Sequence, residues 1–309
     1  MTALRIRTLD GDLDPGDAGA ILAHEHLHAA FGAASDDPDL ELVCHAELAT
    51  DLRDARAAGF TIINDVTTED MGADVELTAA VATEAGVRAI KSTGWFRSPT
   101  ADRFVDGRSA AGLAERLIAD LTEGFPGSRR RAGCVGEVGI TGTRPTAAEQ
   151  RVLDATAEAV AATGAAVVLH TDDARNACAA VDALSERGVP EARIQVGHAR
   201  VSDPLHEQLE LAERGCLVAF DQIGHPRRDP PAAVAVRIAE LAGSGAGERI
   251  ALSTDLGRRS RLTAFGGTGY VAGLRELLRR LVAEGLPEVL IESLRGGAAA
   301  RFLAMPVGP

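Results

Sequence analysis

The chain has 309 residues, enough for one large domain or two small ones. Its hydrophobic content of 46% and its charged content of 25% are ordinary for a soluble globular protein. The formal net charge of −13 argues against nucleic acid or an anionic membrane surface as a partner, because neither is attracted to an acidic protein.

No feature of the sequence directs the chain to a membrane or to an oxidising compartment. The N-terminus lacks the apolar core of a signal peptide, and no apolar run approaches the roughly 20 residues of a membrane-spanning helix. The four cysteines form no C-x-x-C pair, and Cys134 and Cys216 lie in apolar runs, which predicts buried, reduced thiols. We therefore expect a cytoplasmic protein.

The chain opens with turn signals and then alternates between two kinds of segment. Asp10-Gly11 and Asp14-Pro15-Gly16 predict a short β-ribbon between Arg5 and Gly19. Eight β-branched apolar runs follow as predicted strands: Ala20–His26, Thr61–Thr67, Arg88–Gly94, Gly133–Gly139, Ala165–Thr171, Ile194–Ala199, Cys216–Gly224 and Arg249–Asp255. Amphipathic segments predict helices at Asp74–Ala85, Ala110–Glu123, Ala147–Thr163, Asn176–Arg187, Pro231–Ala242, Tyr270–Glu284, Pro287–Leu294 and Ala298–Leu303.

The number and order of these segments indicate the fold class. Continuous apolar runs suit strands that are covered on both faces, as in a parallel sheet. Eight βα units in a chain of this length favour a closed barrel over an open doubly wound sheet. With no linker, low-complexity tract or shift of composition, the sequence predicts one α/β domain over residues 1–309, a (β/α)₈ TIM barrel with a short N-terminal β-ribbon.

Metal-ligand residues stand at the ends of five of the predicted strands. Imidazole nitrogens and carboxylate oxygens are ligands of divalent transition metals, and barrel active sites form where parallel strands end. Four histidines and two carboxylates exceed what one tetrahedral ion needs, so the set predicts two ions. Its members are His24, His26, Glu137, His170, His198 and Asp255.

Strand geometry suggests how the first two histidines reach a common site. Side chains alternate between the two faces of a strand, so His24 and His26 should share a face while Glu25 points the other way. Two histidines spaced in this way can enter the same barrel mouth.

With these residues in place, the chain resembles the amidohydrolase superfamily of metal-dependent hydrolases. Within that superfamily it resembles the phosphotriesterase-related group, most closely the phosphotriesterase homology proteins. The similarity runs over nearly the whole chain, through AHEHLH, NDVTTEDMG, STGWF, GEVGITG, LHTDD, VGHAR, AFDQIG and, most specifically, STDLGRRSRLTAFGGTGY.

The resemblance assigns roles to the ligands. It implies that His24, His26 and Asp255 bind the more buried ion and that His170 and His198 bind the more exposed one. The two ions would be zinc, with manganese, cobalt or iron as alternatives. The resemblance also implies a homodimer.

Two features depart from the phosphotriesterases proper. Their bridging ligand is a carboxylated lysine on the fourth strand, whereas the only lysine here, Lys91, lies on the third, and Glu137 stands at the bridging position instead. Their proton relay uses a histidine and an acidic residue where this chain has Gln222 and Val201. These differences argue against efficient organophosphate hydrolysis.

The resulting hypothesis is a binuclear metal-dependent hydrolase that acts on a small ester, lactone or phosphoester, with an anionic substrate as one option. A hydroxide shared by the two ions would attack, and Asp255 would carry the proton to the leaving group. The chain has no G-x-S-x-G elbow for a covalent mechanism. A metal-dependent lyase or isomerase and a non-catalytic metal-binding barrel remain as alternatives.

Substrate contacts are expected from the loops after the strands. Two adjacent aromatic residues after the third strand suggest a pocket wall, since aromatic residues make up only 3% of the chain. Arginines after the seventh and eighth strands suggest an anion clamp, with surface arginines as the alternative. The predicted substrate-binding residues are Trp95, Phe96, His28, His225, Arg227, Arg228, Arg258 and Arg259.

Overall fold

Eight parallel strands, from the third to the tenth along the chain, form one sheet. Within this sheet each strand pairs with the strands that precede and follow it in the sequence. The computed structural model describes residues 3–32 and 35–306. The strands are β1 (Leu4–Thr8), β2 (Gly11–Leu13), β3 (Ala20–Glu25), β4 (Phe60–Asp65), β5 (Arg88–Thr93), β6 (Cys134–Gly139), β7 (Ala166–His170), β8 (Ile194–Val196), β9 (Leu217–Phe220), β10 (Ile250–Leu252) and β11 (Met305–Pro306).

Helices follow the strands and cover the outside of the sheet. They are α1 (His45–Ala57), α2 (Val75–Ala85), α3 (Asp102–Val105), α4 (Ala110–Thr122), α5 (Ala147–Thr163), α6 (Ala174–Ser185), α7 (Leu205–Glu213), α8 (Pro231–Gly243), α9 (Ala272–Ala283), α10 (Glu288–Glu292) and α11 (Ala298–Leu303). Short 3₁₀ turns lie at Pro15–Asp17, Pro38–Leu40, Glu69–Met71, Glu191–Arg193, Gly247–Arg249, Arg259–Arg261 and Thr263–Phe265, and a π-helical turn lies at Ser293–Gly297. None of the helices in the described ranges has the length and apolar character needed to cross a bilayer.

This architecture confirms the predicted (β/α)₈ barrel and its N-terminal β-ribbon. The ribbon of β1 and β2 gains a third strand, because β11 pairs antiparallel with β1. Helix α5 has the predicted bounds, since a capping box of Thr146 and Glu149 starts it and Gly164, at φ 70°, ends it. All four cysteines are unpaired, and Cys134 and Cys216 are buried.

A buried carboxylate closes the barrel between its first and last strands. Glu25, at the end of β3, accepts hydrogen bonds from the hydroxyl of Ser253 (2.7 Å), from both the backbone N–H (2.7 Å) and hydroxyl (2.8 Å) of Thr254, and from the backbone N–H of Leu256 (2.8 Å). The backbone N–H of Asp255 also donates to the carbonyl of His24 over 3.2 Å. These bonds hold the two strand ends that carry predicted ligands side by side.

Two apolar clusters show which side of the sheet each side chain occupies. Ala166 and Val168 of β7 belong to a cluster inside the barrel, which also receives helix α11, while Val167 and Leu169 join the larger cluster under the outer helices. This alternation is the one expected for a strand that is buried on both faces. It points His170, which ends β7, into the barrel.

Seven of the eight barrel strands are shorter than the predicted ones at their C-terminal ends, whereas β6 ends at Gly139 as predicted. The seventh predicted strand, Cys216–Gly224, stops at Phe220, and His26, His198 and Asp255 all lie beyond the last paired residue of their strands. The backbone stops pairing because these residues turn into the mouth of the barrel, where their side chains meet.

Candidate metal centre and pocket

The six predicted ligands converge at the C-terminal mouth of the barrel. Among the described residues, three groups of three have potential ligand atoms that all lie within 4.8 Å of one another, one of them His24, His198 and Asp221 and the other two sharing Glu137. Of the two that share it, His24, His26 and Glu137 form the first group, and Glu137, His170 and His198 form the second. A residue shared in this way is the arrangement expected for a bridging ligand.

Departures from regular strand geometry bring several of these side chains inward. On β3, Ile21 and Ala23 pack inside the barrel and Leu22 packs outside, so strict alternation would turn His24 outward. A register shift between Leu22 and Glu25, the interval that contains His24, interrupts the regular pairing there. A similar shift on β6, between Gly136 and Val138, flanks Glu137.

Left-handed backbone conformations orient two further ligands. His198 has φ 61° and Asp255 has φ 49°, and they are the only non-glycine residues with positive φ in the described chain. Such conformations cost about 1–3 kcal/mol each and concentrate at functional sites. Asp221 stabilises the first of them, because its carboxylate accepts the backbone N–H of His198 at 2.9 Å.

Asp221 also fixes two of the imidazole rings. Its Oδ1 lies 2.9 Å from Nδ1 of His198, and its Oδ2 lies 3.0 Å from Nδ1 of His24. A carboxylate can only accept, so Nδ1–H of His198 donates to Asp221, and Nδ1 of His24 makes a close contact with the other oxygen. Both rings thereby turn Nε2 into the site. Carboxylates behind ligand histidines play this orienting role in metal centres.

A second chain of hydrogen bonds fixes His26. The hydroxyl of Thr67 donates to Asp65 over 2.7 Å and therefore accepts from Nδ1 of His26, 2.9 Å away. Asp65 in turn pairs with the buried ammonium of Lys91 over 3.2 Å. The only lysine of the chain thus supports a ligand from behind.

Glu137 lies at the centre of the set. Its Oε1 is 2.6 Å from Nδ1 of His170, 3.1 Å from Nε2 of His198 and 3.4 Å from Nε2 of His24. Its Oε2 is 3.9 Å from Nε2 of His26. Oε1 of Glu137 therefore faces histidine nitrogens of both ligand groups, whereas Oε2 faces His26 of the first group.

Asp255 lies between the other five predicted ligands and the open pocket. Its Oδ1 is 3.3 Å from Nε2 of His26 and 3.9 Å from Nε2 of His24, and its side chain is 17% exposed. Its Oδ2 accepts a hydrogen bond from the side-chain amide of Gln222 over 2.8 Å. One oxygen thus faces the ligands while an amide holds the other.

The electrostatics of the site favour bound positive charge. Burial alone would lower the pKa of His198, but the carboxylates of Asp221 and Asp255 raise it to about 10. Burial likewise opposes the charge of His24, and Asp221 and Glu137 nevertheless hold its pKa well above the usual value. Burial would raise the pKa of Glu137, but His170 and His24 keep it well below the usual range.

The donor atoms fit divalent metal ions. Nε2 of His24 is buried without a hydrogen-bond partner, and Nε2 of His198 lies only 2.9 Å from Nδ1 of His170. With Nδ1 of His24, His26 and His198 directed outward, Nε2 of each ring faces carboxylate oxygens, and such contacts need positive charge, which a second ring proton or a metal ion supplies. Nitrogen and carboxylate donors of this kind suit zinc and related transition metals.

A cavity of about 440 Å³ opens above the ligand cluster. Five of the six ligands line it, whereas His24 is fully buried beneath. Its volume is in the range of pockets for small organic ligands. The other lining residues are Ala29, Phe31, Ser35, Leu40, Met71, Phe96, Arg97, Thr100, Gln222, His225, Arg228, Gly257, Arg258 and Arg261.

Four of the eight predicted substrate residues lie in the cavity wall. They are Phe96, His225, Arg228 and Arg258. The ring of Phe96 meets the imidazole of His170 edge-on, with 4.7 Å between their centroids. Burial and the nearby guanidinium groups of Arg261 and Arg228 lower the pKa of His225 to about 4.

The other four predicted substrate residues lie away from the cavity, each for a visible reason. Trp95 is 1% exposed and packs in the core beneath the guanidinium of Arg108, 5.0 Å from its ring. Nδ1 of His28 is 2.9 Å from Nε2 of His45, at the start of α1. Arg259 covers the ring of Phe265 at 4.2 Å, and Arg227 is exposed outside the cavity wall.

Two residues of the site, Asp221 and Arg97, were not predicted from the sequence, whereas Arg261 is one of the arginines after the eighth predicted strand that suggested an anion clamp. Asp221 follows β9 directly, and its place after an apolar run was the same signal that identified the other ligands. Arg97 follows the predicted aromatic pair, and nothing in its spacing distinguishes it from a surface residue.

Comparison with known proteins agrees with this geometry. The phosphotriesterase homology protein of Escherichia coli is 28% identical over 274 residues, covering 89% of this chain and 94% of that protein. Its crystal structure with phosphate in the active site superposes with a TM-score of 0.88 at 27% identity, over 93% of this chain and 99% of that one. The N-acetyltaurine hydrolase of Rattus norvegicus is 26% identical over 334 residues, covering 94% and 95%.

A further solved structure has the same fold, and a family model spans the chain. The resiniferatoxin-binding protein of Rhodobacter sphaeroides has a TM-score of 0.87 at 25% identity, over 97% of this chain and 94% of that one. The model of the phosphotriesterase family matches residues 4–302. The chain therefore belongs to the phosphotriesterase family.

Proposed function

We propose that this protein is a binuclear metal-dependent hydrolase. The observation that carries the proposal is the pair of ligand groups that share Glu137. His24, His26 and Asp255 would hold one ion, and His170 and His198 the other, with Glu137 between them. Two ions so placed supply a nucleophile from water and polarise the bond to be cleaved.

The residues of the chain supply proton transfer and orientation. Asp255 lines the cavity beside the other candidate ligands, so its carboxylate is placed to take a proton from the attacking water and return it to the leaving group. Gln222 holds one carboxylate oxygen through its amide N–H. An amide does not titrate, so the proton passes directly from Asp255 to the leaving group.

The substrate that we propose is small and carries a carbonyl or phosphoryl ester. The cavity volume supports a small molecule, and phosphate occupies the active site of the Escherichia coli relative. The name of the rat relative, an N-acetyltaurine hydrolase, extends the candidate bonds to an N-acyl amide. Hydrolysis of an ester, lactone, phosphoester or amide is compatible with the same site.

Metal loading combined with a substrate panel tests this function. We expect purified protein to bind two zinc, manganese or cobalt ions and to hydrolyse at least one class of the panel of esters, lactones, phosphoesters and N-acyl amides. His24→Asn should abolish turnover while leaving the fold intact by circular dichroism, and the exposed His206→Asn serves as the matched control. Absence of bound metal under all loading conditions, or full activity of His24→Asn, would refute the proposal.

A further inference from the structure

Four arginines line the cavity, and two of them already have carboxylate partners. Arg97 pairs with Asp172 over 2.6 Å, and Arg258 pairs with Asp37 over 2.7 Å. Their charges are largely neutralised within the protein. They therefore have little positive charge left for a ligand.

The other two arginines have no such partner. Among residues 3–32 and 35–306, no carboxylate oxygen lies within 4.0 Å of a guanidinium nitrogen of Arg228 or Arg261. The chain has 45 acidic and 32 basic residues, so a shortage of carboxylates does not explain this. Two arginines without a directly paired carboxylate therefore leave positive charge in the pocket that is available to an anion from outside.

Arg261 is the inner member of this pair. It is 3% exposed, and its Nη1 donates to the carbonyls of Thr254 and Asp255, each over 2.6 Å. Its Nε and Nη2 are buried without hydrogen-bond partners. A buried guanidinium without a counter-ion is costly, and a nearby anion would reduce that cost.

Arg228 is the outer member, exposed on the loop after β9. His225 on the same loop also lines the cavity, and its lowered pKa reflects burial together with the field of both arginines. The remaining wall contains the apolar side chains of Phe31, Leu40, Met71 and Phe96. The cavity therefore offers one cationic region and one apolar region beside the ligand cluster.

We propose that Arg228 and Arg261 form a subsite for an oxyanion of the substrate, a carboxylate, sulfonate or phosphate group that is separate from the bond to be cleaved. The proposal rests on the proposed hydrolase function and adds a substrate class to it. Arg228 binds the anion directly through its planar fork, and Arg261 supplies positive charge from below. A substrate with a short anionic arm is then held with its scissile group over the ligand cluster.

Two matched pairs of acetyl compounds separate the effect of charge from that of bond type. The ester pair is 3-acetoxypropionate and propyl acetate, and the amide pair is N-acetyl-β-alanine and N-propylacetamide. Each pair differs by a terminal carboxylate in place of a methyl group, and all four release acetate, which is measured directly. The metal-loaded wild type should prefer the anionic member of the pair that it cleaves, through a lower KM.

Arg228→Met should raise KM for the anionic substrate by about 10- to 100-fold, as expected for loss of a charge-assisted hydrogen bond. Its kinetics with the neutral substrate should change much less than those with the anionic substrate, so the preference of the enzyme for the anionic member is lost. The adjacent Arg227→Met, outside the cavity wall, is the matched control and should behave as the wild type. Variants of Arg261 would also disturb Asp255 and so are not diagnostic.

The outcomes distinguish failure of the subsite from failure of the hydrolase. Equal KM values for anionic and neutral substrates in the wild type would overturn the subsite and leave the hydrolase standing. If no substrate turns over, calorimetric titration with sodium sulfate decides the subsite by itself. Sulfate binding that weakens in Arg228→Met but not in Arg227→Met would support it, and equal binding in both variants would overturn it.

Discussion

Replacing Asp221 with asparagine removes one of the two acceptor oxygens that hold the rings of His24 and His198. In the wild type, Oδ1 faces Nδ1 of His198 and Oδ2 faces Nδ1 of His24. An asparagine side chain presents one oxygen and one NH₂ group at these places. Whichever way the amide turns, one imidazole N–H meets another donor, so that ring must move its proton to Nε2.

The expected loss follows from the position of that proton. Nε2 of both rings faces Glu137, at 3.4 Å for His24 and 3.1 Å for His198, so a proton on either nitrogen occupies a ligand position. Loss of such an orienting group lowers metal affinity by about 10- to 100-fold. That corresponds to about 1.4–2.7 kcal/mol of binding free energy. The pKa of Asp221 is lowered to about 2, because His198 and His24 outweigh its burial, so the wild-type carboxylate stays ionised through the accessible pH range.

Competition with a chromogenic chelator measures the zinc affinity of each variant. Asp172→Asn is a suitable control, because Asp172 lies 3.8 Å from Nε2 of His170 and its side chain is 49% exposed. We expect this control to change affinity by less than about fivefold, as for other exposed ion pairs. If Asp221→Asn keeps the wild-type affinity for both ions while remaining folded, the tautomer argument is wrong.

Three further predictions concern buried charges that support the site. Lys91→Met leaves the buried Asp65 without its ammonium partner and should lower the free energy of unfolding in urea by about 3–5 kcal/mol. The double variant Lys91→Met/Asp65→Asn should recover most of that loss. An unchanged free energy of unfolding in the single variant would contradict this prediction. The carboxyl group of Asp70 is buried and accepts the backbone N–H of Phe96, a residue of the cavity wall, over 3.0 Å. Burial raises the pKa of Asp70 from 3.8 to about 6, so its contribution to stability is complete below pH 4 and is lost as the pH rises through 6. Asp70→Asn should abolish this pH dependence, which amounts to about 3 kcal/mol of unfolding free energy for a pKa shift of about two units. Parallel curves of stability against pH for the variant and the wild type would exclude this role of Asp70. Glu25→Gln places an NH₂ group against the hydrogen-bond donors that follow the last strand. The variant should lose about 1–3 kcal/mol of unfolding free energy, measured by thermal unfolding. An unchanged Tm would show that Glu25 does not close the barrel.

The fold and the composition of the site could be read from the sequence because both depend on local patterns. Eight apolar runs separated by amphipathic segments specify a barrel, and the C-terminal ends of parallel strands meet at one mouth. His170 shows this in its simplest form, since regular alternation along β7 points it inward. The predicted strands ran too long because apolar character continues past the last paired residue, as at Phe220.

The detailed geometry could not be read in this way, because it depends on irregularities that only tertiary contacts stabilise. The shifts on β3 and β6, and the left-handed backbone at His198 and Asp255, have no signature in a single sequence. The same limit applies to the pocket wall. Trp95 and Phe96 are adjacent aromatic residues, but only the second faces the cavity, because the first fills the core under Arg108.

The bond network of Glu25 also has a consequence for biosynthesis. It joins residues separated by about 230 positions, so the first and last ligands become neighbours only after nearly the whole chain has been made. A nascent chain that has emerged as far as His198 exposes five ligands without the contacts that orient His24 against the last strand. Metal acquired at that stage would find an incomplete, solvent-accessible set of donors. Correct loading of the centre is therefore tied to the docking of the final βα units, a late and long-range folding event.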